Sequence, residues 1–122
     1  MYPGRPCIAC HVMKRGPAFS AAGTIFPSAH EPDDCNGVDG LFTGAAVVIT
    51  DATGKVFTTG ANVAGNFEFF SINDKITPPY HAKVLVANGR ERVMVTAQTS
   101  GDCNACHTVA GVMAAPGRIM LP

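Results

Sequence analysis

The sequence contains no tryptophan, and aromatic residues supply only 7 % of it. A core must therefore be assembled from aliphatic side chains and seven phenylalanines. An excess of charge is also missing, since nine basic residues balance nine acidic ones. That balance excludes a nucleic-acid binder driven by a basic field, and it excludes an acidic solvating tail. No apolar run approaches the length of a membrane-spanning helix; the longest, Ala45 to Ile49, is strand-sized. The opening Met-Tyr-Pro-Gly-Arg-Pro lacks the apolar segment of a secretory signal. Two expectations stay open at this point: a cytoplasmic protein, or a mature form from which a signal has been removed.

What is present is more telling. The 122 residues suffice for one compact domain. Gly and Pro, 13 and 9 of them, favour turns and strands over long helices. Five cysteines accompany four histidines, and an odd number of thiols cannot all pair within one chain. Four of the five fall into two copies of one pattern, Cys7-Ile8-Ala9-Cys10-His11 and Cys103-Asn104-Ala105-Cys106-His107. C-x-x-C-H is the spacing of c-type haem attachment. Two thiols add to the two vinyl groups of a porphyrin, and the adjacent histidine ligates the iron as proximal ligand. A zinc site would draw on the same four thiols, but the stretch between Cys10 and Cys103 far exceeds the about 15–20 residues of ribbon-like sites. A thioredoxin-type dithiol needs a βαβ setting, which the sequence does not show. The expectation is two covalently bound haem c, held by Cys7, Cys10, Cys103 and Cys106, with His11 and His107 on the irons. Such haem is attached outside the cytoplasm, so the chain is expected to be extracytoplasmic, in the periplasm or outside the cell, after loss of a signal peptide.

A low-spin haem for electron transfer takes a second axial ligand. The two remaining histidines, His30 and His81, complete the count for bis-histidine ligation at both irons. This is arithmetic and not geometry, and Met1, Met13, Met94, Met113 and Met120 compete. His30 lies in the loop Ser28-Ala29-His30-Glu31-Pro32-Asp33-Asp34. His81 opens a strand in which Ala82, Val84 and Val86 alternate with His81, Lys83 and Leu85, which puts it on the face opposite the apolar trio. Both are expected as distal ligands, with no assignment of which serves which haem; a ligand from a neighbouring subunit is a third arrangement. Cys35 is left over, either an idle thiol or half of an intermolecular disulfide.

Between the motifs the pattern is β. Ala18–Phe26 is a candidate strand ended by Pro27, and a long loop rich in Pro, Asp and Gly comes after it. Strands are expected at 45–50, 55–59, 66–70, 81–87 and 91–97. They are joined by turns at Asp51-Ala52-Thr53-Gly54 and Asn62-Val63-Ala64-Gly65, and by Asn88-Gly89, a dipeptide favouring a type I′ hairpin turn. The fold class is mainly β: an antiparallel immunoglobulin-like sandwich over 18–99. Haem-attachment segments of little regular structure flank it at 1–17 and 100–122, where residues 11–16 and 107–114 are expected to form a helical turn or two.

Three stretches, Gly23-Thr24-Ile25-Phe26, Gly44 to Gly54 and Gly65-Asn66-Phe67-Glu68-Phe69, resemble the carboxypeptidase-regulatory-like β-sandwich. That family runs as G-x-V, G-A-x-V-x-V-x-D-x-x-G and G-x-F-x-F. The resemblance covers residues 23–97 and implies a structural scaffold with no catalytic residues. The whole chain is similar to small extracytoplasmic dihaem c-type cytochromes that bracket such a domain with C-x-x-C-H motifs. The resemblance implies the haems and the fold; the spare histidine count, with no acid/base constellation around either motif, points to an electron carrier and not an enzyme, working with redox proteins or extracellular acceptors. If the two motifs lie at one end of the sandwich, the haems can pair within a subunit and make a soluble shuttle. If they lie at opposite ends, each needs a haem from the next molecule, and the result is a head-to-tail oligomer or filament. A haem sensor would instead keep one iron five-coordinate.

Overall fold

The structure is a computed structural model that describes residues 2–122. Two sheets face each other. One has three strands in the order β4 (Asn66–Phe70), β1 (Phe19–Phe26), β7 (Ile119–Met120). The other has four, in the order β3 (Val56–Gly60), β2 (Ala46–Thr50), β5 (His81–Leu85), β6 (Glu91–Val93). The fold is thus a mainly β sandwich, and every pairing is antiparallel except β1 with β7. Three short helices complete it: α1 (Cys7–Lys14), α2 (Gly40–Thr43) and α3 (Cys103–Cys106). No helix among the described residues is long and apolar enough to cross a membrane.

Alternation along the strands decides which side chains meet. In β2, Val47 and Ile49 are buried; in β4, Phe67 and Phe69; in β5, Val84. With Ala21, Ile25 and Phe57 they form one apolar cluster between the sheets. β1 departs from the rule that a sandwich strand shows one face to water. Seven of its eight positions are buried, because from outside Cys7 of α1 packs on Phe19 and Ala22, Asn104 bonds to Thr24 and Arg118 stacks on Phe26. The strand that binds the two sheets' common core therefore also carries the N-terminal motif.

Turns form where the side chains supply acceptors. Asp51 Oδ1 accepts from the Thr53 hydroxyl at 2.7 Å and from the amides of Thr53 and Lys55, while Oδ2 accepts from the Thr77 amide. Led by the Thr53 hydroxyl, these bonds hold the Asp51 carboxyl down to about 2, from an ordinary 3.8. A depressed pKa contributes stability that is complete above the unfolded value and lost as pH falls through the folded one. Asp51→Asn is therefore expected to flatten the loss of stability that the wild type shows between about pH 4 and pH 2. Denaturant titrations across that window check this, and parallel curves for the two proteins would refute it.

The structure corrects three local expectations, the first being the strand expected at 91–97, which spans only Glu91–Val93. The hairpin at Asn88-Gly89 is not type I′, which needs positive φ at both residues. Only Gly89 has it, at 85°, and the Gly89 amide bonds the Val86 carbonyl. The result is a three-residue loop, a β-turn followed by a left-handed glycine. The helical turn expected after His11 instead begins at Cys7 and runs through Lys14, so Cys7, Cys10 and His11 all sit on one helix. At the C-terminal motif the helix spans only Cys103–Cys106, and residues 107–118 form turns.

Candidate cofactor-attachment centre

The two C-x-x-C-H motifs, at opposite ends of the chain, lie side by side on β1. The Ala9 amide of α1 donates to Asp102 Oδ2 at 3.0 Å. Asn104, the variable residue inside the second motif, is 1 % exposed and clamps three segments together. Its Oδ1 accepts from the Thr24 amide at 3.0 Å, and its Nδ2 donates to the Arg5 carbonyl at 2.9 Å and to Thr24 Oγ1 at 3.1 Å. The same Nδ2 stands 3.7 Å from Cys7 Sγ. Residues 101–104 occupy the edge of β1 left open by β4, with Asp102 bridging Ala22 and the Gly101 carbonyl taking the Ala22 amide. Gly23 makes this approach feasible, since a Cβ there would stand 2.8 Å from the Phe67 ring and 3.0 Å from Cys103 Cβ.

Burial pushes the Cys7 thiol up to about 11 and the Cys103 thiol to about 12; the Asp102 carboxylate adds to both. Both therefore stay protonated at neutral pH, whereas a dithiol redox centre works through a thiol whose pKa is lowered. Asp102 Oδ1 is buried with no hydrogen-bond partner among the described residues.

Three of the four histidines share one device. Nδ1 of His11 lies 2.9 Å from the Pro17 carbonyl, Nδ1 of His107 lies 2.8 Å from the Gly117 carbonyl, and Nδ1 of His30 lies 2.7 Å from the Val109 carbonyl. A carbonyl carries no proton, so each Nδ1 must be the donor, which leaves the Nε2 lone pair of each neutral ring for a metal. Histidines that ligate metals are oriented in this way by their second nitrogen. The His11 ring also packs on Phe19, centroids 4.5 Å apart, beside an apolar recess lined by Ile8, Val12, Pro17 and Ala18. Large apolar side chains stand bare around both motifs: Val12 and Met13 on α1, Val112 and Met113 after His107. Three features fit covalent haem: paired thiols one helical turn apart, a histidine whose Nδ1 is engaged and whose Nε2 is left over, and uncovered apolar surface.

His30 joins this centre through the C-terminal segment. The Arg118 amide donates to the Ala29 carbonyl at 2.7 Å, and Gly117 is so close that a Cβ on it would stand 3.2 Å from His30 Cε1. Arg118 is buried, stacks 4.2 Å above Phe26, donates to the Glu31 carbonyl and pairs with Asp34. The acidic loop 31–34 is thus tied down at Asp34, which Arg5 also approaches at 3.7 Å. Sequence reasoning overlooked Asn104 and Arg118: one sits at a freely variable motif position, and no pattern marks the other.

His81 is elsewhere. It is exposed on the outer face of the four-stranded sheet, opposite Thr50. Its neighbour Tyr80 points the other way, into the core, where its hydroxyl donates to the Ser100 carbonyl, so β5 itself stands between the His81 ring and Cys103. Cys35 is exposed. Of the competing methionines, Met113 has its sulfur 3.9 Å from Cys106 Sγ, Met94 packs against the core, Met13 is exposed on α1, and Met120 lies in β7. Met1 lies outside the described residues. Comparison with protein-family models, with curated proteins and with solved structures finds no match.

Proposed function

We propose that the chain is a dihaem c-type cytochrome that carries electrons outside the cytoplasm and catalyses no reaction of its own. The single observation that carries this reading is the convergence of both C-x-x-C-H motifs on β1, with His11, His107 and His30 each fixed through Nδ1 to a main-chain carbonyl. Haem attached there supplies a one-electron iron couple. The protein's part is to hold and orient. Cys7 with Cys10, and Cys103 with Cys106, would anchor the two groups, while His11 and His107 would offer Nε2 from below. The Ala9–Asp102 and Asn104–Arg5 hydrogen bonds fix one motif against the other, so both groups belong to one relay within the subunit. Residues 18–99 act as the scaffold. Donors and acceptors on this reading are redox proteins or extracellular oxidants. A soluble shuttle is the smallest form of it; a filament needs a further contact between copies. The presence of His30 beside the motifs favours six-coordinate iron over a ligand sensor.

The test is spectral and chemical. Protein made in a host able to attach haem c is expected to show sharp α and β bands on reduction and a mass raised by two haems. After denaturation, iodoacetamide should then label one thiol per chain, Cys35, because the other four have become thioethers. Five reactive thiols on a colourless protein would sink the proposal.

A further inference from the structure

We propose that His81 is an axial ligand delivered between copies: the outer face of the four-stranded sheet of one chain seats the haem-bearing side of a second, and His81 Nε2 completes an iron there. The proposal rests on the dihaem reading and names its partner, another copy of this chain.

Two irons ligated by histidine on both sides need four imidazoles, and the chain has four histidines. Three stand at the motif side, each oriented by a main-chain carbonyl. One subunit therefore holds three of the four imidazoles beside its motifs, and the fourth projects from the outer face of the four-stranded sheet. The His81 ring has no hydrogen-bond partner among the described residues and lies over a shallow recess lined by Val48, Thr50, Lys83, Glu91 and Val93. This outer face mixes a Lys83–Glu91 ion pair, at 2.8 Å, with bare aliphatic side chains. Val56, opposite Thr50 in the row that ends at His81, is 59 % exposed, and Val93, in the next row with Val48 and Lys83, is 55 % exposed. A ring flanked by bare valines suits contact with an apolar porphyrin face. The opposite side of the molecule bears the matching surface, with Val12 and Met13 exposed beside the His11 recess.

The placement of the ligands dictates the symmetry of the contact. His81 projects from the outer face of the four-stranded sheet, whereas α1 with His11 packs on the outside of β1 in the other sheet, so two copies cannot bring His81 to each other's His11 side by a two-fold axis. The contact is heterologous, and it closes into a ring or continues as a filament. A net charge of zero offers little repulsion to such stacking.

The experiment uses haem-loaded wild type, His81→Ala and Val93→Asp, read by mass photometry, electron microscopy and carbon monoxide titration of the reduced protein. Wild type is expected to form multi-copy assemblies that leave carbon monoxide unbound. His81→Ala is expected to remain folded by far-ultraviolet circular dichroism, to fall to monomers, and to bind about one carbon monoxide per chain, its open iron turning high-spin. Added imidazole should return that iron to low spin without restoring assembly, which separates ligation from mere surface loss. Val93→Asp should disperse the assemblies with His81 intact, and expose the same single iron. Wild type that carries two haems and is monomeric with both irons closed would overturn the proposal while sparing the dihaem reading. So would His81→Ala that assembles and excludes carbon monoxide as wild type does. Protein that attaches no haem at all removes both.

Discussion

Replacing Asn104 by alanine is expected to remove about 3 kcal/mol of stability and to separate the two motifs. The side chain is fully buried and its amide is used at both ends. Alanine would leave the Thr24 amide without a partner and the Arg5 carbonyl with only the weak Cys7 thiol at 3.4 Å, a donor that a thioether to haem would remove. A buried polar group deprived of its partner costs about 1–3 kcal/mol, so two of them set the figure. For a domain whose whole stability is on the order of 5–15 kcal/mol, that is a large share. The melting temperature should fall by about 10 °C. The loss is not only local. Asn104 joins β1, the segment before α1 and the second motif, and with Ala9–Asp102 it is the means by which α1 is registered against α3. Scanning calorimetry of the haem-loaded protein measures the stability. The exciton splitting of the Soret circular dichroism, which reports two close haems, measures the separation. A loss below about 1 kcal/mol with an unchanged Soret couplet would refute the clamp.

Much of the scaffold was legible because its causes are local. Val47 and Ile49, or Phe67 and Phe69, alternate with outward residues, and a period of two is written in the chain itself. The turns at Asp51 and Asn62 could be read for the same reason: each is closed by a side-chain oxygen two to four residues away. What could not be read depends on distant partners. The parallel pairing of Ile25 with Ile119 and Phe26 with Met120 has no local signature. Nor has α1, whose N-cap is Pro6 with no capping side chain; Cys7 and Ile8 hold it by packing on Phe19 and Ala22. The motif spacing picked out the four thiols and two histidines on which the proposed function rests. His30 and His81 were equal candidates by count, and only the Val109 carbonyl and Gly117 distinguish them, through contacts that cross the length of the chain. The question of whether the motifs share an end of the sandwich was likewise decided by Asn104 and Gly101, not by any run of residues near either motif.

Gly117→Ala is expected to disturb two histidines with one methyl group. Gly117 has φ at 144°, a region that side chains avoid. Its carbonyl takes the Nδ1 proton of His107 at 2.8 Å, and a Cβ would run into the Ala29 carbonyl oxygen and press on His30 Cε1. Relief requires either the 29–30 backbone or the Gly117 carbonyl to move, and each carries an imidazole with it. The strain alone is worth about 1–3 kcal/mol. A general loss of stability would not identify Gly117 as a positioning residue, so a matched control is needed. Gly54 also has positive φ, at 85°, and nothing lies within 4 Å of the Cβ it would gain. Gly54→Ala should lose about 1–2 kcal/mol and leave both irons closed to carbon monoxide. Gly117→Ala should lose more and, in addition, convert part of the low-spin ferric signal to high spin, with uptake of carbon monoxide after reduction. On the dihaem reading Cys103 and Cys106 would keep the attached group in place, so its α-band intensity should persist while the ligation changes. Two variants alike in both stability and spin state would show that Gly117 merely turns the chain and positions neither His107 nor His30.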